Sequence, residues 1–379
     1  MLVRLETVTA SKLTASDNSN TLMVIDGHSM AYRAFFALPA ENFQTATGQH
    51  TNAVYGFLSM LLAMIREQKP THVAVAFDLE TPTFRSEQYP EYKAGRDKTP
   101  EEFYGQIDLI KQVMDALQIP SIEVDGYEAD DIVATMSTSA AEAGWDARIV
   151  SGDRDTFQLI KDNVTVLYPM RGVSELPPFD ADAIVERYGV TPLQYPELAA
   201  LVGESADNLP GVPGVGPGFA ARWLKKYGSL KGILDNIDDI GGKKGEALRE
   251  NLDQVKRNRE LNALVTNLEL PITLDEAILV NPDRNMVSEL FDALEFDNIR
   301  NRVFTTFEQH LGSSEEPEPP EEMPETAVIN DVEAWQTFLT DIDQRISVFF
   351  HINPPATITR RKIPAPGDYG QIRALGLAT

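Results

Sequence analysis

The sequence predicts an α/β fold in which a mostly parallel sheet is covered by helices, followed by a helical subdomain. Three observations carry that prediction. Continuous apolar runs alternate with segments of helical period across residues 21–168, the pattern of a sheet buried on both faces. Successive runs end in acids at Asp26, Asp78 and Asp153/Asp155, and a further cluster, Glu128 to Asp131, follows the run ending at Val124. Ligands of open parallel sheets bind beyond the carboxyl ends of the strands, so acids repeated there point to one shared site. After residue 176 the strand pattern gives way to helical segments around a Gly/Pro-rich turn.

Taken in order, residues 1–20 are polar and mixed and read as a disordered lead. Thr21 to Asp26 is a buried strand, and the aromatic-rich stretch from His28 to Ala37 is a helix. Residues 52–67 place Val54, Phe57, Leu58, Leu61, Leu62 and Ile65 at helical spacing. Strands follow at 71–78, 119–124, 148–150 and 164–168, with helices at 104–118 and 128–143, so the α/β core spans 21–175. Within it, segment 79–103 interleaves Arg85, Lys93 and Arg96 with Phe84, Tyr89 and Tyr92. Cations mixed with aromatics on a mobile segment suit single-stranded nucleic acid, by phosphate pairing and base stacking. A solvated loop with anchoring rings has the same composition.

Acids in one helical first turn need no ligand, because the macrodipole favours them there. Here Glu128, Asp130 and Asp131 are joined by Asp153 and Asp155, and then by Glu204 and Asp207. Crowded carboxylates raise one another's pKa unless a positive charge sits between them. A hard divalent cation bound through oxygen is the counterion this donor set suits.

Composition narrows the alternatives. There is no cysteine, which excludes disulfides and cysteine-ligated zinc and fits an intracellular protein. The five histidines, at 28, 50, 72, 310 and 351, never fall at H-x-x-x-H spacing. The first twenty residues lack the apolar centre of a signal peptide, and no apolar run approaches the ~18 residues of a membrane helix. The expectation is a cytoplasmic, nucleoid-associated monomer with no membrane partner. A net charge of −25 argues against nucleic acid until it is divided. Six glutamates lie in residues 313–326 and nine acids in the proposed site, which leaves about −10 for the remaining surface.

Residues 217–260 reverse the balance, with ten Lys/Arg against seven Asp/Glu. They follow a turn whose glycines, Gly214, Gly216 and Gly218 among them, allow backbone N–H groups to approach a phosphate. Arg222, Lys225 and Lys226 lie on the helix after it. The turn resembles the helix-hairpin-helix module, which holds duplex backbone without reading sequence. An ordinary interhelical turn is the alternative. Residues 176–312 form this subdomain and 313–326 a Pro/Glu-rich linker. Residues 327–379 contain a helix-like stretch and strands at 345–352 and 372–378, too little for a complete core.

The motifs together resemble a known family. They are Val24-Ile-Asp26-Gly, Phe77-Asp78, Tyr92-Lys-Ala-Gly-Arg96, Gly126-Tyr-Glu-Ala-Asp-Asp131, Ser151-Gly-Asp-Arg-Asp155 and Asp207-Asn-Leu-Pro-Gly-Val-Pro-Gly-Val-Gly216. From Thr21 to about Gly312 the chain is similar to the 5′-nuclease (flap endonuclease) domain at the amino end of bacterial DNA polymerase I. The resemblance implies a PIN-like fold that hydrolyses phosphodiester bonds with two divalent cations, Mg²⁺ or Mn²⁺, during replication and repair. It places Asp26, Glu128, Asp130, Asp131, Asp153, Asp155, Glu204 and Asp207 around the metals, with Asp78 behind them. Lys93 and Arg96 would steer the scissile phosphate, Tyr92 would stack a base, and segment 79–103 would form an arch for a 5′ strand. Arg33, Arg85 and the hairpin residues would bind DNA, and the hairpin is a place for K⁺. Implied partners are DNA with 5′ flaps or ends, RNA primers in hybrids, and a polymerase domain in a longer chain.

Two departures stand out. Glu204 occupies a position where the family usually has Asp, and Pro217-Gly218-Phe219 replaces a common Glu-Lys-Thr. Residues 327–379 resemble the start of a 3′-exonuclease-like domain. Phe349-Phe-His-Ile-Asn353 stands where that domain carries Asp-x-Glu, so proofreading is not expected, and no polymerase domain follows. Two other readings fit parts of the pattern. A non-catalytic branched-DNA module would follow if Glu204 spoiled the site. An Asp-x-Asp phosphatase would need a second Asp where Gly27-His28 stand.

Overall fold

The structure, a computed structural model, describes residues 20–95, 98–169, 176–312, 347–352 and 372–378. The expected lead, the linker, the helix-like stretch after it and Arg96 lie outside these residues. The expected α/β fold is present. Strands β1 (Thr21–Asp26), β2 (His72–Ala76), β3 (Ser121–Ile122), β4 (Asp146–Val150), β5 (Val164–Leu167) and β6 (Pro178–Phe179) form one sheet in the order β3-β2-β1-β4-β5-β6. The first five are parallel and β6 is antiparallel to β5. The chain leaves β1 towards β2 and later returns to β4 on its other side. Asp26 and Asp153 lie at the carboxyl ends of these neighbours, at the topological switch point where such sheets bind ligands.

Alternate side chains of β1 enter two separate cores, as strand geometry requires. Leu22 and Val24 pack with Ile132, Val133 and Met136 of α5 (Ala129–Glu142). Met23 and Ile25 face α1 (Gly27–Ala37), α2 (Asn52–Gln68) and α4 (Gln106–Ala116). Between β2 and α4 lies the short α3 (Phe84–Gln88), capped by Thr83. Strand β3 is shorter than the expected 119–124, as suits an edge strand preceded by Pro120, which has no N–H to donate.

After β6 come α6 (Ala181–Tyr188), α7 (Tyr195–Val202), α8 (Pro217–Tyr227), α9 (Leu230–Asp235), α10 (Gly242–Glu250) and α11 (Leu252–Leu261). Helices α7 and α8 share the core of α5 through Leu198, Ala200, Leu201, Ala220 and Leu224. Helices α12 (Arg284–Ala293) and α13 (Asp297–Leu311) instead return to the opposite face, where Val287, Phe291, Val303 and Phe307 join the cluster of α2. The expected 176–312 subdomain is therefore not a single packing unit. The described residues from 20 to 312 form one compact body, which splits its last helices between the two faces.

Between α7 and α8 the chain makes a two-residue ladder of β7 (Gly203–Glu204) and β8 (Leu209–Pro210). A Cβ on Gly211 would lie 1.9 Å from the carbonyl oxygen of Val202, so only glycine permits this close approach. In the second unit, β9 (Ser347–Ile352) and β10 (Ile372–Ala378) pair antiparallel, at the positions expected for strands.

Arg85 corrects one sequence reading. It was expected to contact DNA, but its side chain is 1% exposed and is enclosed by protein acceptors. Its two terminal nitrogens donate to both oxygens of Asp131, at 2.6 and 2.8 Å. Nε donates to the carbonyl of Leu261 at 2.8 Å and Nη2 to that of Ala263 at 2.9 Å. One guanidinium thus ties α3 to the start of α5 and to the end of α11. Asp131, expected as a metal ligand, is corrected with it. It is wholly buried and also accepts the Val265 N–H at 2.9 Å, so its oxygens are committed to the protein.

Removing one partner of a buried pair strands the other charge, whereas replacing both with apolar groups is often tolerated. Arg85→Ala is therefore expected to lower unfolding stability in urea by about 3–5 kcal/mol. Arg85→Met combined with Asp131→Leu should recover much of that loss. A loss below about 1 kcal/mol for Arg85→Ala would show that the pair is not structural.

Candidate metal centre

Each acid of the centre is placed by an element end. Asp26 closes β1 and caps α1, accepting the Ser29 N–H at 3.0 Å and the Ser151 hydroxyl at 2.9 Å. Asp130 sits in the first turn of α5. The start of that helix is fixed by Asp78, whose Oδ1 accepts the Ala129 N–H at 2.7 Å. Asp78 is held in turn by His28, whose Nδ1 accepts its backbone N–H at 3.1 Å. Asp153 follows β4 and accepts the Asp155 N–H at 2.9 Å, capping a 3₁₀ turn over Arg154–Leu159. Glu204 and Asp207 are carried by the β7–β8 turn, and one oxygen each of Asp155, Glu204 and Asp207 lie within 4.8 Å of one another.

The electrostatics are those of a site short of positive charge. Burial, then Asp78 and Asp153, push the Asp26 carboxyl up to about 7, although hydrogen bonds from Ser29 and Ser151 oppose the shift. Burial, then Asp153 and Asp207, push Glu204 up to about 8. Asp130 is raised well above the usual carboxylate range by burial and by Asp153 and Asp26. Asp155 is raised likewise, by burial and by Glu204. Buried oxygens of Asp130 (Oδ1), Asp155 (Oδ1) and Glu204 (Oε2) have no hydrogen-bond partner. Buried polar atoms are normally satisfied, and carboxylate oxygens left without partners in a cluster of acids are the donor set a hard divalent cation takes. The residues fit the cations the sequence implied.

Glu128 is placed differently. It accepts from Lys93 Nζ at 2.6 Å, Arg85 Nη1 at 3.2 Å and Tyr92 Oη at 3.3 Å. It stands at the edge of the cluster with cations of the protein beside it. Lys93 takes a left-handed φ of 58°, and its N–H donates to the Asp207 carbonyl at 3.0 Å. Asn208 Nδ2 donates to the Glu91 carbonyl at 2.8 Å, so the segment after α3 is stitched to the acidic turn at two points. Tyr92, expected to stack a base, is corrected: its ring is only 8% exposed and its hydroxyl is turned to Glu128.

The structure thus brings together Asp26, Asp130, Asp153, Asp155, Glu204 and Asp207, with Glu128 and Lys93 alongside. Arg85 and Asp131 face inward instead. Arg33 is half-buried on α1, and Arg222, Lys225 and Lys226 are exposed on α8, with Gly216 as its N-cap and Gly214 and Gly218 exposed nearby. A cavity of about 430 Å³ opens beside Asp153, Glu204 and Asp207, walled by Tyr168, Tyr188 and Leu198. Sequence reasoning missed Ser29, Ser151 and His28, which hold Asp26 and Asp78 in place. Ser151 stood inside a motif already singled out, two residues before Asp153, and its small hydroxyl was the available signal.

Comparison with known proteins agrees with this geometry. Residues 21–189 match the family described as "5′-3′ exonuclease, N-terminal resolvase-like domain", and residues 190–285 its "C-terminal SAM fold". DNA polymerase I of Mycobacterium tuberculosis is 52% identical over 300 residues, covering 79% of this chain and 33% of the relative. DNA polymerase I of Bacillus subtilis is 40% identical over 283 residues, covering 74% and 32%. The chain therefore spans about a third of the length of these curated relatives. Among solved structures, the T5 D15 protein co-crystallised with metal ions has a TM-score of 0.53 at 20% identity, covering 77% of this chain and 98% of that one. The catalytic core of Rad2 in complex with a DNA substrate has a TM-score of 0.51 at 13% identity, covering 77% and 93%. These structural likenesses establish the PIN-like fold. With two consecutive domains matched in order, and acids gathered at the switch point of the sheet, the chain belongs to the 5′-3′ exonuclease family.

Proposed function

We propose that the protein is a structure-specific 5′-3′ exonuclease and 5′-flap endonuclease that uses two divalent cations, Mg²⁺ or Mn²⁺. The observation that carries the reading is the grouping of Asp155, Glu204 and Asp207 carboxylate oxygens within 4.8 Å of one another, beside buried carboxylate oxygens of Asp155, Glu204 and Asp130 that have no hydrogen-bond partner. Asp26, Asp130 and Asp153 would hold one cation, and Asp155, Glu204 and Asp207 the other. Bound there, the cations would acidify a water and stabilise charge on the departing oxygen. The chain's own groups orient and exclude. Ser29 and Ser151 fix the Asp26 carboxylate, Asp78 fixes the start of α5, and Lys93 holds Glu128 in place. Lys93 and Arg96 would steer the scissile phosphate. The exposed cations of α8 would hold the duplex, with K⁺ at the hairpin. RNA primers in hybrids are proposed as further substrates, and the chain is read as a monomer, or as one domain of a longer polymerase. No helix among the described residues is long and apolar enough to cross a membrane.

Two measurements follow. Asp130→Ala and Asp153→Ala should each reduce cleavage of a labelled 5′-flap oligonucleotide by more than about 100-fold, since even outer-shell changes cost 10–100-fold. Their folding should be unimpaired, because each removes carboxylate repulsion from the metal-free protein. Near wild-type cleavage by either variant would overturn the site. Glu204 supplies the second test. Its extra methylene leaves it grouped with Asp155 and Asp207, yet Mg²⁺ demands near-ideal octahedral geometry at about 2.0–2.1 Å. Glu204→Asp is therefore expected to raise the Mg²⁺-supported rate more than the Mn²⁺-supported one. An unchanged ratio of the two rates would assign Glu204 to a position outside direct coordination.

A further inference from the structure

Phe219 occupies the first turn of α8, immediately after the glycine-rich hairpin, and its ring gathers two cations. Arg222 lies 4.7 Å from the ring centroid, and Lys244, from the first turn of α10, lies 3.6 Å from it. Lys244 is 25 residues distant in sequence and belongs to a different helix. Among the described residues neither cation is paired with a carboxylate. Two like charges on one ring repel each other. The negative face of the ring offsets part of that repulsion, and a phosphate near both would offset more. Lys243, Lys225 and Lys226 are exposed on the same two helices, where six Lys/Arg outnumber two acids, Glu246 and Glu250 of α10, so the anion would enter a net positive field.

We propose that Lys244, delivered to the hairpin by Phe219, is a backbone-phosphate contact for the duplex part of the substrate. The hairpin as a phosphate site was legible in its glycines; a contribution from α10 was not. Phe219 has no hydroxyl or charge to offer a phosphate, but its ring fixes an otherwise flexible lysine, lowering the entropy lost on binding. The contact reads no base and serves affinity and register alone. The hairpin has room for a cation of its own. A Cβ on Gly218 would meet nothing within 4 Å, and the φ of Gly218 lies outside the left-handed region. A lysine there would place charge where Lys244 is proposed to supply it.

This inference rests on the nuclease reading, and the experiment separates the two. Affinity for a fluorescent 5′-flap duplex is measured against salt concentration, with Ca²⁺ present to prevent cleavage. Wild-type protein should bind with a steep salt slope; absence of binding would overturn the nuclease reading itself. Given binding, Lys244→Ala should reduce the slope by about 0.9, the value of one phosphate contact. Lys244→Arg should retain the slope. Phe219→Ala should weaken binding with little change in slope, because the lysine remains but is no longer held. Gly218→Lys combined with Lys244→Ala should restore the slope, and the Lys244 variants should melt at the wild-type temperature, whereas Phe219→Ala, which also loses packing on Trp223, is compared well below its own melting temperature. Wild-type slope and affinity in Lys244→Ala would overturn the proposal, as would a loss of binding that merely follows a fall in melting temperature.

Discussion

Carboxylates forced together without enough positive charge are the constraint on which the rest of this structure depends. Burial, with Asp153 among the neighbouring charges, raises the proton affinity of Asp26, Asp130, Asp155 and Glu204. Such a cluster would disperse on a flexible support. Here every acid sits on an element end fixed by backbone hydrogen bonds, and the elements are buried on both faces of the sheet. The fold spends rigidity to keep together groups that repel, and a cation can later exploit that preorganisation.

A second layer of charge keeps the acids in their roles. Arg85 takes both oxygens of Asp131 and secures the start of α5, which leaves Asp130, one residue earlier, turned to the site. Adjacent residues of a helix point about 100° apart, so neighbouring aspartates can serve opposite masters. Lys93 and Tyr92 restrain Glu128 from the segment after α3, and the same segment is bonded to the turn bearing Asp207. Nucleic acid drawn into that segment would therefore be coupled mechanically to both halves of the acid cluster.

Much of this was legible in the sequence. Apolar period located the strands and helices because burial on two faces leaves few other patterns, and the acids at the strand ends identified the site. What was not legible depended on distant partners. Arg85 and Lys93 lie on one cationic, aromatic segment, and composition does not distinguish them. The carbonyls of Leu261 and Ala263 do, by drawing Arg85 inward, and they come from the end of α11 and the segment after it, about 180 residues away. Tyr92 was misread for the same reason, since its burial is supplied by Leu209 and Leu261. The return of α12 and α13 to the far face was equally invisible, because an amphipathic helix declares that it packs, not where.

Burial and neighbouring carboxylates raise the proton affinity of the cluster, and counting the protons that a cation displaces tests this directly. Carboxyls raised towards 7 and 8 in the folded, metal-free protein are largely protonated just below those values. A bound cation favours the ionised form, so binding must expel protons and must tighten as pH rises through this range. Calorimetric titration of Mn²⁺ at pH 6.5, repeated in buffers of different ionisation enthalpy, gives the number released. Release of about one proton or more per protein is expected, with weaker binding at pH 5.5. Binding with no proton release and no dependence on pH would contradict it.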